Sequence, residues 1–138
     1  MERCYCVSLR RAAKAVTEYY DTLLAPSGIT INQYSLLVNT GRIAPCSVSK
    51  LAAAMRLERS TLVRNMKPLF QAGLLMDSSP DGSRDRKLRL TRAGYKCLKT
   101  AVPLWEKTQM KLKGRIGERK FKNFMETALL LENINSAL

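Results

Sequence analysis

The chain has 138 residues, the size of one domain, and 46% of them are hydrophobic, enough apolar side chain for a core. Its 24 lysines and arginines stand against 11 acidic residues, a net charge of +13 that no histidine can titrate away near neutral pH. That excess points to a polyanionic partner, nucleic acid first and an anionic membrane surface second; a basic surface serving only solubility is the alternative. No apolar run reaches the ~18 residues of a membrane span, and Met1-Glu2-Arg3-Cys4-Tyr5-Cys6 lacks the basic-then-apolar order of a signal peptide. The expectation is a cytoplasmic protein away from the membrane, with its four cysteines reduced. Without a histidine base, a clustered carboxylate pair or a phosphate-binding glycine loop, neither an enzyme nor a cofactor is expected.

From Val7 to Leu24, apolar residues including Leu9, Ala12, Val16, Tyr20 and Leu23 recur at three- and four-residue steps, which predicts a first helix stopped by Ala25-Pro26-Ser27-Gly28. Thr30-Ile31-Asn32-Gln33 has the capping-box form, a hydroxyl followed three residues later by an amide, and predicts a second helix ending near Gly41. After a connector at Ile43 to Cys46, a short helix is expected over Ser47–Arg56 and a longer one over Glu58–Ala72, ending at Gly73. Leu74–Asp77 and Lys87–Leu90 read as strands flanking the Pro80-Asp81-Gly82 turn, so a hairpin follows the helical pair. Thr91 can cap a helix running to about Leu112, with Pro103 expected to kink it. Phe121, Phe124, Met125, Ala128, Leu129 and Leu131 mark a last helix.

Helix, turn, helix, hairpin is the order of a winged helix. The expected fold is mainly α with a small β-hairpin: one domain, 1–138, with a winged helix-turn-helix core over 31–91. Residues 1–30 and 92–138 are more apolar than such a core needs and are read as a helical dimerisation layer; a monomer packing them on itself is the alternative.

On a helical wheel Leu62, Met66, Leu69, Phe70 and Gly73 fall on the core side of the longer helix, and Ser60, Arg64, Lys67 and Gln71 lie opposite, with Thr61 and Pro68 at the edge. Hydroxyls near a helix start and cations further along suit a DNA major groove, with Arg64 the principal candidate to fork onto a base and Lys67 a phosphate contact. Ser60 and Thr61 fit either role. Ser47, Ser49 and Lys50 open the preceding helix, where free amides and hydroxyls suit a phosphate, although Ser47 also reads as a simple cap. Arg84 and Arg86 follow the hairpin turn, where cations can lie along a minor groove.

Several stretches in order resemble the MarR family of winged-helix regulators over nearly the whole chain. They are Ser49-Lys50-Leu51-Ala52, Glu58-Arg59-Ser60-Thr61-Leu62-Val63-Arg64, Gln71-Ala72-Gly73-Leu74, the arginine-rich wing leading to Leu90-Thr91-Arg92-Ala93-Gly94, and Pro103-Leu104-Trp105. The resemblance places Arg59 with the DNA-binding set. It implies a homodimer joined by the terminal helices and bound to a pseudo-palindromic operator in double-stranded DNA, often as a repressor released by a small-molecule effector or an oxidant. It also implies that Arg84 is the wing arginine of the minor groove. The family's aspartate two residues before that arginine is replaced by Gly82, with Asp81 displaced by one, which leaves open whether Asp81 or Asp85 takes its place and whether Arg84 or Arg86 enters the minor groove.

Cys4-Tyr5-Cys6 is the one arrangement that hints at chemistry. A bond between Cys4 and Cys6 would be strained, whereas pairing between subunits, soft-metal binding or oxidation of a thiol remain open beside the reading that they are incidental. No zinc or other metal site is expected without histidine or a C-x-x-C pair, and Cys46 and Cys97 read as structural. The competing function is a non-specific or RNA-binding basic winged-helix module, for which Tyr5 and Tyr95 are the candidate stacking aromatics.

Overall fold

In the computed structural model, which describes residues 2–137, α1 spans Tyr5–Leu24. Only its C-terminal half is packed: Tyr20 and Leu24 are buried, while Val7, Leu9 and Val16 are 39–43% exposed. The turn Ala25–Ser27 follows, and Gly28 reverses the chain at φ 77°, a left-handed conformation that costs glycine nothing. α2, Ile31–Ile43, begins with both capping-box bonds in place, Gln33 N–H to Thr30 Oγ1 at 3.2 Å and Thr30 N–H to Gln33 Oε1 at 3.0 Å. A third amide of its opening turn, Ile31 N–H, donates to Asp21 Oδ1 of α1 at 2.7 Å, fixing the angle between the two helices.

α3, Val48–Met55, and α4, Arg59–Gln71, form the helical pair. Between them Arg56 sits at φ 52°, and the amides of Arg56 and Leu57 return to the carbonyls of Ala53 and Ala52, closing the end of α3. The chain leaves α4 through Gly73 at φ 71° into a hairpin of β1, Leu75–Asp77, and β2, Leu88–Leu90, in the register Leu75↔Leu90, Met76↔Arg89 and Asp77↔Leu88. Cys46, from the connector before α3, exchanges both backbone bonds with Leu88, at 3.2 and 2.8 Å. That bridge fastens the root of the wing to the start of α3. Leu36 and Leu37 of α2, Leu51 of α3, Leu62 and Leu69 of α4 and Leu88 of β2 are no more than 1% exposed and meet in one core.

α5, Arg92–Ile116, is capped by Thr91, whose Oγ1 accepts from Gly94 N–H at 3.0 Å and donates to the Gly73 carbonyl. Gly94 lies against β1's approach so closely that a Cβ there would run into the Leu74 carbonyl oxygen. α5 continues as helix through Pro103 and four residues beyond the expected end at Leu112. Trp105 stacks on Tyr34 of α2, with centroids 5.7 Å apart and planes 18° from parallel.

These elements up to Trp105 form one compact unit, and residues from Glu106 onward form a second. In the second, α5 ends at Ile116, Gly117 at φ 89° precedes α6, which spans Glu118–Glu132, and Lys113 Nζ lies 2.9 Å from Glu118 Oε1. α6 buries no residue: Phe124, Met125, Leu129, Leu130 and Leu131 are all exposed. No helix among the described residues is long and apolar enough to cross a membrane.

Candidate nucleic-acid interface

The basic residues singled out in the sequence come from three elements that the core brings to one face. On α4, Leu62, Met66 and Leu69 are at most 3% exposed, which turns Ser60, Arg64, Lys67 and Gln71 outward; Thr61 is half-buried at the edge. A hollow of about 510 Å³ runs along this stripe, lined by Arg59, Ser60, Arg64, Lys67, Gln71 and Arg86 over a floor that includes Val48, Met66 and Phe70. A second hollow, of about 270 Å³, joins the start of α3 to the wing through Ser47, Ser49, Arg59, Arg84 and Arg86. Arg59 and Arg86 line both. Arg64 also borders a third hollow, with Thr30 and Asn32 at the start of α2.

Ser47 is the cap of α3, accepting from Lys50 N–H at 3.1 Å, so its hydroxyl oxygen already serves the helix. Ser49 Oγ accepts from Arg59 Nη1 at 3.1 Å, a contact between α3 and α4 that aims the Arg59 guanidinium across the helix-turn-helix. Lys50 and Thr61 line neither of the two hollows that hold the other candidates; Lys50 is exposed on α3.

The wing answers a question that the sequence left open. Neither Asp81 nor Asp85 takes over the missing aspartate: among the described residues neither carboxylate holds an arginine, and Arg84 makes no hydrogen bond or ion pair. The organising carboxylate is Asp77, at the end of β1. Its Oδ1 accepts from Ser79 Oγ at 2.6 Å, Ser79 N–H at 3.0 Å and Lys87 N–H at 3.0 Å, and its Oδ2 lies 3.9 Å from Arg86 Nη1. The Ser79 hydroxyl bond, then the amides of Ser79 and Lys87, with Arg86 beside them, hold the Asp77 carboxyl below its usual range. Asp77 thus has Arg86 as its nearest cation, while Arg84, near the tip, has no such partner among the described residues. The hairpin turn is closed by Ser83 N–H to the Pro80 carbonyl at 3.1 Å, with Gly82 at φ 79°.

Two residues of this face were passed over in the sequence. Asp77 was hidden because its partner Lys87 is ten positions away and reached only through the hairpin register. Val63 was passed over because it is apolar, although its wheel position between Lys67 and Phe70, at the border of the polar stripe, could have flagged it; it is 48% exposed.

Cys4 and Cys6 are exposed and free at the start of α1, Cys4 as the residue preceding the helix with no capping bond from its side chain. Cys46 is buried beneath the wing and Cys97 half-buried, and burial pushes both thiols up, so they stay protonated. Among the described residues, no three histidine, cysteine or acidic side chains gather where they could hold a metal ion.

The family model described as "MarR family" matches residues 29–84. The Mycobacterium tuberculosis transcriptional regulator MosR, in a complex with DNA, is 33% identical over 91% of this chain and 96% of its own, with a TM-score of 0.75. At the level of fold alone, the chain also resembles the transcriptional repressor CouR bound to a 23-mer DNA duplex, at 22% identity, 94% and 92% coverage and a TM-score of 0.82. Staphylococcus aureus MepR in a DNA complex is 17% identical, with 99% and 100% coverage and a TM-score of 0.78. No curated protein sequence matches the chain. The mainly helical fold with its two-stranded wing, the match across the helix-turn-helix and the 33% identity to MosR over 91% of the chain together place this chain in the MarR family of DNA-binding transcriptional regulators.

Proposed function

We propose that the protein is a sequence-specific, dimeric regulator, acting as a repressor that a small ligand or thiol oxidation releases from a pseudo-palindromic operator. The observation that carries this reading is the convergence of the start of α3, the outward stripe of α4 and the wing on two adjoining hollows that share Arg59 and Arg86. In this reading α4 enters the major groove, where Arg64 forks onto a base and Ser60 and Thr61 meet base edges or phosphate. Ser47, Ser49 and Lys50 at the start of α3, with Arg59 and Lys67, hold the backbone. Arg84, which has no hydrogen bond or ion pair among the described residues, reaches the minor groove, and Arg86, 3.9 Å from Asp77, contacts phosphate beside it.

A dimer is supported by the apolar residues that each unit leaves uncovered, Val7, Leu9 and Val16 on α1 and Phe124, Met125, Leu129 and Leu130 on α6. Two-fold symmetry would set both α4 helices into half-sites about one helical turn (~34 Å) apart on one side of the duplex. Because Cys4 and Cys6 open the same α1 whose apolar residues lack cover, oxidation of these exposed thiols would act on the dimerisation layer and so on the spacing of the two readers. MosR, 33% identical and crystallised with DNA, supports the DNA reading.

Sedimentation of the full chain, followed by footprinting on genomic fragments with and without peroxide, tests the proposal. A dimer that protects a symmetric two-turn site supports it. A monomer, or equal affinity for unrelated duplex and single-stranded RNA, would favour the non-specific module, in which exposed Tyr5 and Tyr95 stack on bases.

A further inference from the structure

On the exposed side of α4, one β-branched apolar residue borders the polar and cationic stripe next to Phe70. Val63 sits one turn beyond Arg59 and one turn before Lys67, 48% exposed, although the helix already fills the core with Leu62, Met66 and Leu69. An isolated exposed valine is ordinary on a protein surface. This one is not isolated: it lines the α4 hollow together with Val48, Met66 and Phe70, which give that hollow an apolar floor inside a rim of Arg59, Arg64, Lys67 and Arg86. The ligand that fits such a site carries a small apolar group flanked by anions. In a DNA major groove the one base-edge group of that kind is the C5-methyl of thymine, and phosphates flank it on both strands.

We infer that Val63 is a specificity-determining residue, which packs its methyls on the C5-methyl of one thymine per half-site next to the base read by Arg64. The inference rests on the proposed docking of α4 in the major groove. It adds to that docking a preference for thymine over cytosine at one position, made by apolar contact. A hydrogen-bonding side chain at 63 would discriminate differently. Val63 is carried on the α4 helix, where its β-branched side chain has little rotamer freedom.

The test uses a duplex recovered by the full-length protein from a random double-stranded library. Each thymine of that duplex is replaced in turn by deoxyuridine, which keeps every hydrogen-bonding group and lacks only the methyl. Affinities are measured for the wild-type protein, Val63→Ala and Arg64→Ala. One position per half-site should lose about 3- to 5-fold with the wild type on removal of the methyl, the effect of one buried methyl group, and lose nothing further with Val63→Ala. Arg64→Ala should retain the deoxyuridine sensitivity while weakening binding. If Val63→Ala keeps the full deoxyuridine penalty at every thymine, or the wild type shows no penalty anywhere, Val63 does not read the methyl even though the α4 docking stands. If selection returns no consensus, or a consensus that neither variant perturbs, the docking of α4 itself fails and this inference with it.

Discussion

Replacing Asp77 should loosen the wing without disturbing the helical core. One carboxylate oxygen receives three hydrogen bonds, from Ser79 Oγ at 2.6 Å and from the amides of Ser79 and Lys87 at 3.0 Å each. The side chain is 25% exposed, so water replaces much of what Ala would remove, and the 3.9 Å approach to the half-exposed Arg86 adds little. Three charge-assisted bonds at a partly wet site therefore amount to about 1–2 kcal/mol for Asp77→Ala, and less for Asp77→Asn, which keeps one acceptor oxygen. In a chain of this size that is a fall of roughly 3–8 °C in Tm. Because the folded-state pKa of Asp77 is lowered, its stabilisation is present above the ordinary carboxylate pKa and is lost as pH falls through the lowered value. The difference between wild type and Asp77→Asn should thus be full at pH 6–7 and shrink below about pH 4. Thermal melts across pH, with amide exchange at Ser79 and Lys87, measure it. Unchanged exchange at both amides in Asp77→Ala, with a wild-type Tm, would refute the assignment of Asp77 as the anchor of the wing.

Gly94→Ala should destabilise the protein by about 1–3 kcal/mol, since a Cβ there meets the Leu74 carbonyl oxygen, backbone that can move only with the wing root; a melt within 1 °C of wild type would contradict the geometry. In native protein, a thiol reagent should modify Cys4 and Cys6 at once and Cys46 only on unfolding, because Cys46 is 3% exposed and held protonated by burial. Mass spectrometry of a short labelling pulse reads this directly, and rapid labelling of Cys46 would mean that the contact between the connector and Leu88 opens readily.

The parts of the fold that depend on neighbours in sequence were legible from the start. Thr30 and Gln33 form the capping box that their spacing implied, and Gly73 ends α4 where the apolar period stops. Each hairpin strand is one residue shorter at its N-terminal end than expected, beginning at Leu75 and at Leu88. What stayed hidden depends on pairs far apart in sequence. The Cys46–Leu88 bridge, the Asp77–Lys87 bond and the Arg59–Ser49 contact each need the tertiary fold before the residues can meet. Motif spacing points to Asp81 or Asp85 for the wing's aspartate, whereas the strand register places the carboxylate of Asp77 opposite Leu88, beside Lys87. The apolar stripe read along α1 is buried only at its C-terminal end, because local period reports that a face seeks cover and is silent on whether the cover is the same chain or another.

The central claim is that α4 reads bases and that Arg64 is the principal reader. Binding of wild type and Arg64→Ala should be titrated on the selected duplex and on an unrelated duplex at one fixed salt concentration. The account predicts a loss of about 1–3 kcal/mol, roughly 5- to 150-fold, on the selected duplex only, with relaxed preference at one base pair of each half-site. An equal loss on both duplexes would make Arg64 a phosphate contact and would contradict the account.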